Sequence, residues 1–94
     1  MSRSPSIESI EGSHTFPGPF RFKLFGPMDQ SFVDGIRAHV EPLLGDESNY
    51  GIELRSSSKG NHCCVTLTMV AQSAVEVREV YDRLHDTPQL KMLL

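Results

Sequence analysis

The sequence predicts an α+β fold, a two-layer sandwich of element order βαββαβ. Three observations lead there: four stretches alternate side chains with period two, two stretches repeat apolar residues every three or four positions, and the patterns follow one another as strand, helix, strand, strand, helix, strand. A chain of 94 residues, 38% hydrophobic and 22% charged, makes one small domain that can bury a modest core without metals or disulfides.

Residues 1–16 read as a flexible N-terminal tail ahead of a single domain at 17–94. Serines at 2, 4, 6 and 9, with Pro5 and Gly12, carry no sustained hydrophobic period that would repay ordering. In "FRFKLF", Phe20, Phe22 and Leu24 share one face and Arg21 and Lys23 the other, a half-buried strand that Gly26-Pro27 should stop. Asp29 is a plausible N-cap for a helix in which Phe32, Val33, Ile36 and Val40 make the apolar stripe, with Pro42 expected to end it. "YGIELRS" places Ile52 and Leu54 inward and Glu53 and Arg55 outward. "CCVTLTMVA" then sets Cys63, Val65, Leu67 and Met69 against Cys64, Thr66, Thr68 and Val70, β-branched through its middle. Ser73 and Glu76 form a capping box before Ala74, Val77, Val80, Tyr81 and Leu84, a second amphipathic helix that lasts until Pro88. The closing "LKMLL" alternates Leu90, Met92 and Leu94 against Lys91 and Leu93, a fourth strand. With right-handed crossovers these elements close as a ferredoxin-like four-stranded antiparallel sheet, strand order 4-1-3-2, with both helices on one face.

The formal net charge of -3 argues weakly against general affinity for nucleic acid or anionic membrane, although a local patch can oppose the total. No run approaches the ~18 apolar residues of a membrane span, and the first residues lack a secretory apolar stretch, so a cytoplasmic protein with no membrane association is expected. The two cysteines, Cys63 and Cys64, are adjacent, which excludes a scaffold stapled by bridges and suits a reducing compartment.

The segment that looks most like chemistry is "RSSSKGNHCC", residues 55–64. A Walker-type phosphate loop joins a strand to a helix, so that backbone N–H groups and the helix dipole hold the phosphate; Lys59-Gly60 joins two strands. His62, Cys63 and Cys64 are metal donors by type, but successive strand residues point to opposite faces and no second cluster completes a tetrahedral set. Nucleophilic catalysis needs a positioned base and an oxyanion hole, which the spacing does not supply. The acylphosphatases, enzymes on this fold, use a phosphate loop with an arginine after strand one, where this chain has the short, acidic Gly26-Pro27-Met28-Asp29. The loop therefore reads as a β-hairpin connection with Gly60 at positive φ, and Lys59 and Asn61 remain as candidate partner contacts. No catalytic, cofactor-binding or metal residue is assigned, no cofactor is implied, and a non-enzymatic protein is expected.

With "FPGPFRFKLFG", "RSSSKGNH", "VREVYDRL" and "LKMLL" in view, the chain resembles the YbeD-like family of small uncharacterised bacterial proteins. That family's Phe-Pro start, strand-one Lys and Gly, Ser-Ser-Lys-Gly-Asn before strand three and Leu- or Met-rich final strand fall on Phe16 and Pro17, Lys23 and Gly26, Ser57 to Asn61, and Met92 to Leu94. The resemblance covers about residues 16–94. It implies a ferredoxin-like fold similar to the amino-acid-sensing ACT domains and no established activity, so a regulatory role follows by fold analogy.

Parity places Arg21, Lys23, Arg55 and Lys91 on the sheet face turned away from the helices, with Glu53, Thr66 and Thr68 among them: four of the nine basic residues on one surface. Asp34, Glu41, Glu76, Glu79, Asp82 and Asp86 put negative charge on the helices. A solvated open face is common in antiparallel sheets. Beyond that, the face suits a regulatory or adaptor module that takes a protein partner or a small anionic metabolite. The rival is an RNA binder like the RRM, which stacks bases on aromatic residues of strands one and three. Strand three offers Cys64, Thr66 and Thr68 outward, no rings, so RNA is the weaker reading. Oligomeric state is not legible.

Overall fold

The structure is a computed structural model that describes residues 5–56 and 60–94. Its sheet contains β1 (Gly18–Pro27), β2 (Tyr50–Ser56), β3 (His62–Ala71) and β4 (Met92–Leu93), all pairs antiparallel, in the order β2-β3-β1-β4. Read from the β4 edge, the same sheet runs β4-β1-β3-β2. Among the described residues three helices complete it, α1 (Ile7–Ser13), α2 (Gln30–Leu44) and α3 (Ala74–His85), with a 3-10 turn at Glu47–Asn49. The arrangement is α+β and broadly ferredoxin-like.

β1 and β3 align over ten residues each, Gly18 opposite Ala71 through Pro27 opposite His62, so their alternations reinforce one another. Phe22, Leu24, Val65 and Leu67 are fully buried on the inner side, together with Phe32, Ile36 and Val40 of α2 and Val77, Val80 and Leu84 of α3. Tyr81 meets Phe22 edge-on at 4.8 Å between ring centroids, a geometry that places a ring edge against a π face. Both helices start on the caps that the sequence marks: Asp29 accepts from the Ser31 N–H at 2.9 Å, and Ser73 Oγ accepts from the Glu76 N–H at 3.3 Å. Tyr50 ties β2 to α2 by donating its hydroxyl to Glu41 Oε2 at 3.0 Å.

The helix count differs from the two expected, because residues 7–13 of the supposed tail form α1. Ser6 caps it by accepting from the Ser9 N–H at 3.1 Å, Glu8 lies in the first turn near the positive end of the dipole, and Ile10 is buried in the main core with Ile7 packed against it. Helix α1 packs against α3, and the His14 ring lies 4.5 Å from that of Phe20. Two apolar residues at i and i+3 are too few to register as a period.

Three local expectations are also corrected. α2 continues through Pro42 to Leu44, since a proline in the last turn forfeits one helical hydrogen bond and Gly45 N–H still reaches Glu41 O at 2.8 Å. β1 runs through Gly26 to Pro27 instead of stopping before them. β4 has the opposite parity to the one expected: Leu93 stands opposite buried Leu24 and packs on the core, while Met92 and Leu94 are exposed. Three consecutive apolar residues do not specify a face, and Gln89, at φ 70, turns the chain just before them. Of the expected hairpin connection, Ser57 to Lys59 lie outside the described residues; Gly60 has φ 72, the positive value expected. Among the described residues no helix is long and apolar enough to cross a membrane.

Candidate interaction face

The side of the sheet opposite the helices is built in rows across the strands. One row is Arg21, Thr68 and Gly51; the next is Lys23, Thr66 and Glu53; the third is Met92, Phe25, Cys64 and Arg55. Leu94 joins the second row, because Lys23 and Leu94 exchange both backbone hydrogen bonds, at 3.0 and 2.8 Å. Strand alternation alone puts these side chains together, as residues that pair across strands share a face.

Arg21, Lys23 and Arg55 thus border one shallow depression of about 920 Å³, with Glu53, Thr66, Thr68 and Cys64 between them. Among the described residues of this surface three cations outnumber the one carboxylate. The threonine hydroxyls can donate or accept, and the cations can only donate, so the arrangement is equipped to receive acceptor oxygens. On the β4 side the face becomes apolar: half-buried Phe25 and Cys64 adjoin Met92 and Leu94, 52% and 58% exposed. The surface therefore offers a cationic half and an apolar half.

The other candidates separate from this cluster. Lys91 is exposed and precedes β4, and it does not line the depression; its N–H serves the sheet by donating to Phe25 O at 2.7 Å. Asn61 is exposed beyond the end of the sheet, where its carbonyl accepts from the Met28 N–H at 3.4 Å. Lys59 lies outside the described residues. The apolar group of Phe25, Met92 and Leu94 was missed by sequence reasoning. Phe25 was available from the parity of "FRFKLF", whereas Met92 and Leu94 depended on the register of β4.

The two cysteines fall on opposite sides of β3. Cys63 is buried, its thiol donating toward Pro27 O at 3.4 Å, and burial, with the neighbouring Cys64 as the lesser cause, pushes its pKa above the usual thiol value. Cys64 is half-buried on the open face. Among the described residues no group of three His, Cys, Asp or Glu side chains is placed to hold a metal ion.

Comparison with known families bears on what this surface belongs to. The profile described as "Protein of unknown function (DUF493)" matches residues 11–94. The chain belongs to the DUF493 family. Its curated relatives include UPF0250 protein NE1487 of Nitrosomonas europaea, 32% identical over 79 residues that cover 84% of this chain and 91% of the relative. A UPF0250 protein of Chromobacterium violaceum is also 32% identical, over 84% of this chain and 89% of its own length. The DUF493 chain is accordingly one of the small, YbeD-like bacterial proteins that the sequence resembled. Among solved structures, the C-terminal domain of the MgtC protein from Mycobacterium tuberculosis is similar with a TM-score of 0.55 at 14% identity, covering 86% of this chain and 88% of that one. At that identity the likeness concerns the fold.

Proposed function

We propose that this protein is a non-enzymatic regulatory or adaptor module, acting in the cytoplasm, and that its open sheet face binds a protein partner rich in carboxylates or a small anionic metabolite. The observation that carries this reading is the convergence of Arg21, Lys23 and Arg55 over one depression, opposite a helical layer in which Asp34, Glu41, Glu76, Glu79 and Asp82 outnumber Arg37, Arg78 and Arg83. Such charge separation steers an anionic partner toward one side of the molecule, an effect that salt screens over about 8 Å at physiological ionic strength. The apolar half formed by Phe25, Met92 and Leu94 adds contact area that a simple charge patch lacks.

RNA binding stands second. Phe25 favours it, as a ring on β1 on the same face as Lys23, although β3 presents Cys64, Thr66 and Thr68 beside it.

Fluorescence titration separates the two readings. A glutamate-rich peptide should bind the native protein and lose most of its affinity for the Arg21→Glu, Lys23→Glu double variant, while short single-stranded RNA should bind neither. Tight RNA binding with a steep salt slope would replace the proposal by the RRM-like reading.

A further inference from the structure

β2 stands at the edge of the sheet, paired with β3 on one side and with no described residue on the other. Which of its backbone groups are free follows from the ladder. Lys23 and Leu94 bond to each other, so the odd-numbered residues of β1 aim their N–H and C=O at β4 and the even-numbered ones at β3. Carried through the register, the same alternation bonds Thr68 to Gly51, Thr66 to Glu53 and Cys64 to Arg55. It leaves the N–H and C=O of Ile52, Leu54 and Ser56 pointing outward. Natural edge strands are commonly blunted by proline, a bulge or an inward-pointing charge. This one has none of these; its charges, Glu53 and Arg55, stand on the open face and oppose only a partner that does not match them, and Leu54, on the helical side of the sheet, is 48% exposed.

We propose that this edge is an interface for a second copy of the chain, which adds its own β2 antiparallel to the first across a two-fold axis at Leu54. The charge pattern selects both the occupant and the register. With Leu54 opposite Leu54 of the partner subunit, Ile52 and Ser56 pair reciprocally and the three outward residues of each strand find partners. Glu53 then stands opposite Arg55 of the partner subunit, and Arg55 opposite Glu53 of the partner subunit, both pairs on the open face. Moving the axis to residue 53 sets glutamate against glutamate; moving it to residue 55 sets arginine against arginine; an axis at residue 52 places Glu53 opposite Gly51 and leaves the charges unpaired. Cross-strand pairs of opposite charge stabilise a sheet and like charges oppose it, so the strand is complementary to itself in one register. The two sheets become one of eight strands, and each open-face depression gains the partner's carboxylate beside its own Arg55. This inference rests on the edge and not on what the open face binds.

Sedimentation velocity over a range of concentrations tests it. The native chain should self-associate to a dimer. Leu54→Pro should be monomeric with its fold intact, because the lost N–H points away from β3 and proline is tolerated on such edges. Glu53→Arg and Arg55→Glu should each weaken self-association roughly tenfold or more, since both charge pairs turn repulsive. An equimolar mixture of the two variants should restore a dimer that contains one copy of each. If Leu54→Pro fails to fold, the charge reversals and their mixture still decide. A native chain that stays monomeric at millimolar concentration, a dimer indifferent to the reversals, or single variants that do not complement one another would overturn the proposal.

Discussion

At the scale of single residues, the two glycines near the ends of β1 and β3 serve different needs. A Cβ on Gly26 would lie 2.5 Å from the ring of Phe32, which is fully buried, so the glycine is the seat of a ring from α2. Gly26→Ala should destabilise the fold by about 1–3 kcal/mol through overpacking, as read by urea denaturation. Among the described residues nothing lies within 4 Å of a Cβ built on Gly60, whose φ is +72. Gly60→Ala should therefore lose about 1 kcal/mol from backbone strain alone. Gly60 was legible because a turn between two strands calls for positive φ locally. Gly26 was read as a strand stop, since the ring that explains it arrives from another element. The cysteines follow from parity: a maleimide should label Cys64 in the native state well before Cys63, and equal rates would contradict the burial of Cys63.

At the scale of elements, strong periodicity was enough for β1, β3, α2 and α3, because each has four or five buried positions at a single spacing. Helix α1 and strand β4 are short and take their structure from what they touch. Ile10 is 4% exposed, and Ile10→Ala should destabilise by about 2 kcal/mol, near the lower bound for a buried aliphatic side chain because α1 lies at the periphery of the core. A loss below a few tenths of a kcal/mol in thermal or urea unfolding would mean that α1 does not hold to the domain. Ser73→Ala, which removes the cap of α3, should lose about 1 kcal/mol. In β4, "MLL" offered both faces equally, and the choice of Leu93 as the buried residue is made by its partner Leu24.

At the scale of the whole molecule, the open sheet carries a net excess of cations, while on α2 and α3 Asp34, Glu41, Glu76, Glu79 and Asp82 outnumber Arg37, Arg78 and Arg83. Arg21, Lys23 and Arg55 were legible as a group because two strands of unambiguous parity carry them. Lys91 was not, because it precedes a two-residue strand whose facing the apolar run leaves open. Folding also sets the alkaline limit. Burial raises the Cys63 thiol above its ordinary 9.0 and the Tyr50 and Tyr81 hydroxyls above their ordinary 10.0, so above those values the unfolded chain releases protons that the folded chain retains. Stability should be undiminished by these groups below about pH 9 and should decline as pH rises from there toward the raised folded values, with Cys63→Ala removing the earliest part of the decline.

The central claim, that the open sheet face is where this protein meets an anionic partner, is tested most directly by mapping backbone amide shifts during titration with a glutamate-rich peptide. Binding on this face predicts that the perturbed amides cluster on Arg21, Lys23, Thr66, Cys64 and Arg55, reach Phe25 and Met92, and spare α2 and α3. Perturbations gathered on the helices or at Asn61, with the β1 and β3 rows unmoved, would contradict it.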